Sequence, residues 1–308
     1  MTRREQPPRF GTLVTAMVTP FDAGGELDLD GAATLARWLV EHGTEGIVVT
    51  GSTGEGSVLS DAEKRDLWRA VAEAVTVPVI AGAGTNDTRH SIDLAATAAD
   101  VGVDALLLVT PYYSRPSQSG IYEHFAAVAG STGLPVMLYN IPVRTGRLIS
   151  RPTIVRLATE VPNIVAVKDS TGDAAGAARL MAEAPGALQV YCGDDALTLP
   201  FLSVGAVGLV SVASHWAGRE IREMITAFES GDVTGAAHLN ARLVESYGFE
   251  SCDDFPNPLP AKAACRIQGL AVGQCRLPLG ASPPELEGEA RRVIARLAVP
   301  ALHGGGGG

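Results

Sequence analysis

One lysine, at the end of an apolar segment, is the residue of this sequence best suited to covalent chemistry. Lys168 directly follows four apolar residues at 164–167, two of which are valines. A continuous apolar run of this kind predicts a strand buried on both faces, with the lysine where the strand emerges. Because burying an ammonium group is costly, such a lysine either extends its charged end to the surface or serves as a reactive amine. In the second interpretation the amine attacks a carbonyl compound and forms a Schiff base.

Residues that follow other apolar runs suggest partners for that amine. Ser52 and Thr53 stand between glycines, where hydroxyl and backbone N–H donors suit a bound carboxylate. Tyr139 is either an ordinary strand-end aromatic residue or, beside Lys168, a carrier of protons to and from a bound carbonyl. Arg144 is either a solvated loop residue or a planar clamp for a substrate carboxylate. Taken together, these side chains favour carbonyl chemistry on a small anion.

Three other kinds of site are weakly supported. The glycine-containing loop 51–54 lacks the spacing of a phosphate-binding P-loop. The segment 82–84 begins like a dinucleotide-binding fingerprint, but Asp87 stands where the third glycine belongs. No histidine cluster follows the strands, and the four cysteines have no metal-ligand spacing, so we predict reduced thiols and no metal site.

The elements that must position these residues form a repeated pattern. Helical segments end in glycine or before proline, and a short apolar run follows each of them. Eight runs read as strands, at 12–19, 46–49, 79–81, 105–109, 136–139, 164–167, 189–192 and 208–212. Buried strands that alternate with helices predict a closed (β/α)₈ barrel (a TIM barrel), with an open doubly wound sheet as the alternative. In such a barrel the loops that follow the strands meet at one end and carry the active site.

The pattern changes after Val212, where helical segments follow one another without strands between them. We therefore predict three parts. Residues 1–231 form a (β/α)₈ catalytic barrel, 232–298 form a small C-terminal helical region, and 299–308 form a flexible glycine-rich tail.

Composition limits the possible partners and location. The chain has 308 residues and a formal net charge of −10, which argues against a nucleic-acid partner. No apolar run is long enough to span a bilayer, so no membrane partner is predicted. The first eight residues contain no apolar signal-peptide core, so we expect a cytoplasmic protein.

Five motifs, in order along the chain, carry a resemblance to a known family. They are Gly-Ser-Thr-Gly-Glu at 51–55, Pro-Tyr-Tyr at 111–113, Tyr-Asn-Ile-Pro at 139–142, Val-Lys-Asp at 167–169 and Gly-Asp-Asp at 193–195. From residue 11 to about 297 the chain resembles the pyruvate-dependent class I aldolases of the dihydrodipicolinate synthase and N-acetylneuraminate lyase family. This resemblance implies a (β/α)₈ barrel.

The resemblance also implies a role for each proton-carrying residue. Lys168 would form the Schiff base with pyruvate, and Tyr139 would carry protons that are relayed through Ser52 to Tyr113. In relatives the second tyrosine enters from a neighbouring subunit. The resemblance therefore implies a homo-oligomer, at least a dimer and typically a tetramer.

The remaining implied residues bind pyruvate without taking part in proton transfer. Thr53 would bind the pyruvate carboxylate, and Gly193 and Val210 would line the site with backbone carbonyls. No metal or organic cofactor is implied, because the lysine itself supplies the electron sink.

Three features favour the synthase branch of the family, whose members condense pyruvate with L-aspartate 4-semialdehyde to 4-hydroxy-tetrahydrodipicolinate in lysine and diaminopimelate biosynthesis. They are Arg144, the Gly-Asp-Asp form of 193–195, and the segment 256–262. Ser52 departs from the pattern, because most synthases have threonine there, but serine keeps the hydroxyl.

Two alternative functions remain open. One is a retro-aldol lyase on a sugar-derived 2-keto acid, of the 2-keto-3-deoxygluconate or N-acetylneuraminate type. The other is a non-catalytic regulatory protein that binds a keto acid.

The resemblance also bears on inhibition by L-lysine. Lysine-sensitive synthases bind the amino acid with a tyrosine, an asparagine and a glutamate, and Tyr112 and Asn86 match the first two. His90 stands at the position of the glutamate, and Asp61 and Lys64 stand on the helix where sensitive enzymes often have histidine. The ammonium group of a bound lysine needs an anionic partner, which His90 cannot supply and which Asp61 would supply only if it faces the site. The sequence therefore predicts weak or absent inhibition.

Overall fold

The computed structural model describes residues 7–250 and 252–297. Its centre is a closed barrel in which each strand pairs in parallel with the next and β8 pairs with β1. The strands are β1 (Leu13–Ala16), β2 (Gly46–Val49), β3 (Val79–Gly82), β4 (Ala105–Val109), β5 (Val136–Asn140), β6 (Ile164–Asp169), β7 (Gln189–Cys192) and β8 (Gly208–Ser211). Each strand overlaps a predicted run, and β3, β5 and β6 extend one or two residues beyond it. The predicted (β/α)₈ barrel is confirmed, and the open sheet is excluded.

Alternation along each strand separates two cores. Side chains at one set of positions point outward and pack against the helices, as Val167 does. Side chains at the alternate positions fill the barrel, as Met137, Ala166 and Tyr191 do. Phe10 packs into the same interior, and its N–H donates to the hydroxyl of Tyr191 at 3.1 Å. This interior packing raises the reactive side chains toward the carboxyl ends of the strands, where they can meet a ligand.

Helices surround the barrel and continue beyond it. They are α1 (Leu29–Glu41), α2 (Asp61–Ala74), α3 (Thr88–Asp100), α4 (Gln118–Gly130), α5 (Pro142–Thr145), α6 (Arg151–Glu160), α7 (Ala174–Glu183), α8 (Thr198–Ser203), α9 (Ser214–Glu229), α10 (Val233–Phe249), α11 (Leu259–Ile267) and α12 (Pro284–Leu297). Helix α2 begins with a capping box, in which Ser60 accepts from the N–H of Glu63 and the Glu63 carboxylate accepts from the N–H of Ser60. Such a cap stabilises a helix start by about 1 kcal/mol.

The first helix after β8 is bent near its start. Helix α9 begins at Ser214 and has a kink at Ala217, whose φ and ψ are −128° and 24°. The predicted division at 231/232 stays a prediction. The predicted tail 299–308, and residue 298, lie outside the described residues. Within the described ranges, no helix combines the length and apolar composition that crossing a membrane requires.

Candidate active site

Two neighbouring strands place Lys168 beside Tyr139. The register of β5 and β6 pairs these two residues directly, near the carboxyl ends of both strands. Their side chains are 4% and 5% exposed, and the Lys168 Nζ lies 4.3 Å from the centre of the Tyr139 ring. A carbonyl compound bound to this amine would therefore be in contact with the tyrosine. Lys168 does not extend to the surface, so the first interpretation of a snorkelling lysine does not apply.

The stem of Lys168 packs closely against the backbone of Gly193. A Cβ atom at that position would lie 3.0 Å from the Lys168 Cε and would collide with the Ser170 hydroxyl. Ser170 Oγ donates to the carbonyl of Gly193 at 3.2 Å. Val210, on β8, belongs to the apolar barrel interior and is 1% exposed. Backbone atoms therefore approach the amine from the β7 side because glycine leaves room for it.

The loop after β2 is held in an unusual backbone conformation. Thr50 and Glu55, which flank it, both have left-handed φ values, of 59° and 53°. Such values are uncommon for residues with a Cβ and require support from the surroundings. At Thr50 the support is a hydroxyl that donates to the carbonyls of Val49 and Gly82 and accepts from the Trp68 indole at 2.8 Å.

This backbone separates the two hydroxyl residues predicted to act in the site. Thr53 is buried, and its hydroxyl accepts a hydrogen bond from Asn257 Nδ2 at 2.9 Å. Ser52 is exposed and lines the cavity described below. The adjacent hydroxyls therefore have different environments.

Arg144 and Thr53 share one neighbour from the C-terminal region. The guanidinium of Arg144, at the end of α5, donates to the carbonyl of Asn257 at 3.4 Å, while the side chain of Asn257 contacts Thr53. Asn257 was not among the predicted site residues. Asn257 lies in the Pro-Asn-Pro run at 256–258. That run contributed to the family resemblance but did not indicate a role for Asn257 in the site.

A cavity of about 560 Å³ opens at this end of the barrel. It is lined by Ser52, Tyr139, Arg144 and Asn257, and it continues toward α2 and α3. Lys168, Thr53, Gly193 and Val210 are not on its wall, but Tyr139, whose ring centre lies 4.3 Å from Lys168 Nζ, is. The cavity therefore reaches the neighbour of the buried amine at one place and the guanidinium of Arg144 at another.

Within a single chain, the predicted site residue Tyr113 does not join the other predicted proton carriers. Its side chain is 91% exposed, and its backbone has a left-handed φ of 71°. Among residues 7–250 and 252–297, no hydrogen bond links Tyr113 to Ser52 or Ser52 to Tyr139. The predicted relay is therefore not assembled within one chain.

Two interacting acids near Lys168, Asp195 and Glu250, were not among the predicted site residues. Asp195 is 1% exposed and accepts from Ser211 Oγ at 2.5 Å and from the N–H of Val212 at 2.8 Å. Burial raises the pKa of Glu250, and the negative charge of Asp195 raises that pKa further. Burial also raises the pKa of Asp195, and the two carboxyl groups interact through a hydrogen bond. In the described part of the chain, no group of three or more His, Cys, Asp or Glu side chains is arranged to hold a metal ion.

Comparison with known proteins shows the family to which the chain belongs. Residues 9–296 match the model of the Dihydrodipicolinate synthetase family. The chain is 50% identical over 282 residues to the 4-hydroxy-tetrahydrodipicolinate synthase of Moorella thermoacetica. The matched region covers 91% of this chain and 96% of that protein. It is 47% identical over 272 residues to the enzyme of that name from Bacillus subtilis, covering 88% and 93%.

A solved structure agrees with the sequence matches. A crystal structure of a dihydrodipicolinate synthase from Bacillus anthracis superimposes with a TM-score of 0.90 at 47% identity, covering 94% of this chain and 99% of that one. The predicted family is therefore confirmed. This chain belongs to the Dihydrodipicolinate synthetase family.

Proposed function

We propose that the protein is a lyase that condenses pyruvate with L-aspartate 4-semialdehyde to 4-hydroxy-tetrahydrodipicolinate. The observation that carries this proposal is the buried pair of Lys168 and Tyr139 beneath a cavity that also holds Arg144. The relatives named 4-hydroxy-tetrahydrodipicolinate synthase, at about half identity over nearly the whole chain, support the choice of reaction. The proposed pathway is lysine and diaminopimelate biosynthesis.

The first half-reaction takes place on Lys168. Its neutral amine attacks the C2 carbonyl of pyruvate, and water leaves to give an iminium ion. The positive nitrogen makes the methyl protons of pyruvate acidic, so loss of one proton gives an enamine. Thr53 and the backbone near Gly193 and Val210 would hold the pyruvate in place. The lysine is the electron sink, so the proposed mechanism uses no metal or organic cofactor.

Proton transfer is assigned to Tyr139, Ser52 and Tyr113. Loss of water and formation of the enamine each move a proton, and Tyr139 is the hydroxyl residue adjacent to the amine. The exposed side chain of Tyr113 suits a residue that completes the site of a neighbouring subunit. The functional unit would then be at least a homodimer, and we propose a homotetramer.

The second half-reaction needs a site for the other substrate. The enamine carbon attacks the aldehyde of L-aspartate 4-semialdehyde, whose carboxylate pairs with the guanidinium of Arg144. The amino group of the adduct then attacks the iminium carbon, closes the ring and releases Lys168 as a free amine. Every bond that the lysine forms is thus broken before the next turnover.

A side-by-side turnover assay tests this function against the alternatives. Pyruvate plus L-aspartate 4-semialdehyde should be consumed, whereas 2-keto-3-deoxygluconate and N-acetylneuraminate should not be cleaved. A retro-aldol lyase would show the reverse preference. A keto-acid-binding regulatory protein would show neither activity and no covalent mass after borohydride treatment with pyruvate.

Replacing Arg144 by Ala should damage the second half-reaction selectively. The contact of a guanidinium with a carboxylate contributes on the order of 1.5–3 kcal/mol. We expect KM for L-aspartate 4-semialdehyde to rise by roughly tenfold or more, the equivalent of that energy. The amount of borohydride-trapped pyruvate should stay near the wild-type amount. Arg147 provides a matched control on the same loop, since its guanidinium donates to the carbonyl of Pro116, outside the cavity wall. An equal loss in both half-reactions would contradict the assignment.

Inhibition by L-lysine should be weak or absent. Asp61 and Lys64 both line the cavity, but the Asp61 carboxylate is already paired with His90 at 2.9 Å and lies 3.8 Å from Lys64 Nζ. The ammonium group of a bound lysine would therefore compete with the His90 ring and the Lys64 amine for one carboxylate. We expect half-maximal inhibition only above millimolar L-lysine, measured in the turnover assay. Half-maximal inhibition below millimolar would contradict this prediction.

A further inference from the structure

A buried ion pair joins the loop after β2 to helix α11. Glu55 Oε1 and Lys262 Nζ are 2.7 Å apart, and the two side chains are 1% and 0% exposed. Both groups have a second partner from the C-terminal region. Lys262 Nζ donates to the carbonyl of Gln274 at 2.9 Å, and Glu55 Oε2 accepts from the N–H of Arg276 at 2.9 Å. Neither charge takes part in the proposed mechanism.

Stability alone is a poor reason to bury this pair. Removing two charges from water costs roughly several kcal/mol per ion. Apolar residues of similar volume in the same place often stabilise a protein as well as the ion pair does, or better. Burial lowers the pKa of Lys262 and so opposes its charge, which the Glu55 carboxylate favours. What the pair supplies, and an apolar contact would not, is a fixed direction between two atoms.

The atoms that the pair fixes lie next to substrate-binding residues. Glu55 follows Thr53 by two positions, and the glycine between them has no space for a side chain, since a Cβ there would lie 2.9 Å from the Met17 carbonyl. The left-handed backbone of Glu55 leaves the loop little freedom to adjust. A displacement of the Glu55 carboxylate would therefore be passed to Thr53 and Ser52. The same C-terminal region makes a second attachment through Asn257 to the Thr53 hydroxyl.

We propose that Glu55 and Lys262 are positioning residues that hold Ser52 and Thr53 against bound pyruvate. The C-terminal helical region thereby belongs to the pyruvate half-site, although it contributes no reacting atom. The proposal rests on the function proposed above, because it assigns a task to residues that act on pyruvate.

The test measures how tightly pyruvate is held on the lysine. For each variant, borohydride-trapped adduct is quantified by intact mass against pyruvate concentration. A residue with a purely structural task would change the amount of folded protein, and hence the maximum amount of adduct. A positioning residue would change the pyruvate concentration that gives half of the maximum.

Three variants are compared: Glu55→Gln, Lys262→Met and the double variant. Each single variant leaves one buried charge without its counter-ion, so the double variant, with two neutral side chains of similar size, is the decisive one. We expect it to melt cooperatively and to need about tenfold more pyruvate for half-maximal adduct. That factor corresponds to the loss of one hydrogen bond between the loop and bound pyruvate. KM for pyruvate should rise by the same factor, and kcat should fall less.

Glu287→Gln is the matched control, because the ion pair of Glu287 with Arg266, at 3.0 Å, links α11 to α12 and does not touch the loop after β2. Its half-maximal pyruvate concentration should equal that of the wild type. A folded double variant within about twofold of wild type would overturn the positioning role. The role is also rejected if none of the three variants folds, since the pair would then be a structural requirement. Wild-type protein without any adduct would refute the proposed function itself.

Discussion

Lys168→Ala should form no covalent adduct with pyruvate. The variant removes the amine, near the end of β6, that is proposed to attack the substrate carbonyl. We expect kcat to fall by on the order of 10³-fold or more, as when a covalent nucleophile is lost. Because Lys168 is buried, a thermal melt must first show that the alanine variant is folded.

The composition of the chain makes the site of attachment easy to identify. The sequence contains only three lysines, Lys64, Lys168 and Lys262, and all three are buried. In the wild type, reduction with borohydride should block tryptic cleavage after Lys168 and leave residues 157–179 as one peptide. Lys64→Met serves as the control, and its adduct should form at the same position. Undiminished trapping in Lys168→Ala, or a label on another lysine, would contradict the assignment.

Tyr139→Phe should slow the reaction while leaving the amine in place. The ring whose centre lies 4.3 Å from Lys168 Nζ is retained, and only the hydroxyl proposed to carry protons is lost. General acid–base catalysis contributes about 10²- to 10⁴-fold to such steps, so adduct formation should slow by that factor. The maximum amount of adduct after long incubation should still approach one per chain.

The measurement is the rate of adduct formation at saturating pyruvate, with reduction at successive times. Tyr122→Phe is the control, since its hydroxyl donates to Glu160 on the outer helices at 2.6 Å, outside the cavity wall. Its rate should match the wild type. A Tyr139→Phe variant as fast as wild type would remove the tyrosine from the proton path.

Much of the architecture was accessible from local patterns in the sequence. Most strands are short apolar runs that follow a helix ending in glycine or before proline. Such runs, alternating with helices, indicate a parallel sheet that is covered on both faces and in which the backbone N–H and C=O groups form hydrogen bonds. Eight of them close a barrel, and closure makes consecutive strands neighbours. The adjacency of Tyr139 and Lys168 follows, because both residues end consecutive strands on inward-facing positions.

The environment of individual side chains was harder to predict from the sequence. Ser52 and Thr53 are adjacent and chemically similar, yet one is exposed to the cavity and the other is buried. The difference depends on left-handed backbone at Thr50 and Glu55, and such values are rare for residues of these types, so no propensity argument predicts them. Only the packed Trp68 and C-terminal segments make that backbone stable.

Local patterns in the sequence were therefore enough to predict the barrel and the neighbouring positions of Lys168 and Tyr139 near the carboxyl ends of its strands. These follow from the period of each strand and from the rule that strand ends share one face. Tertiary structure alone decided that Asn257 contacts Thr53, although 204 positions separate them, and that Lys262 neutralises Glu55. Such contacts depend on how a helix packs onto the barrel after both have formed. Packing is set by the shapes of many distant side chains together, and it leaves no periodic signal at the residues that touch.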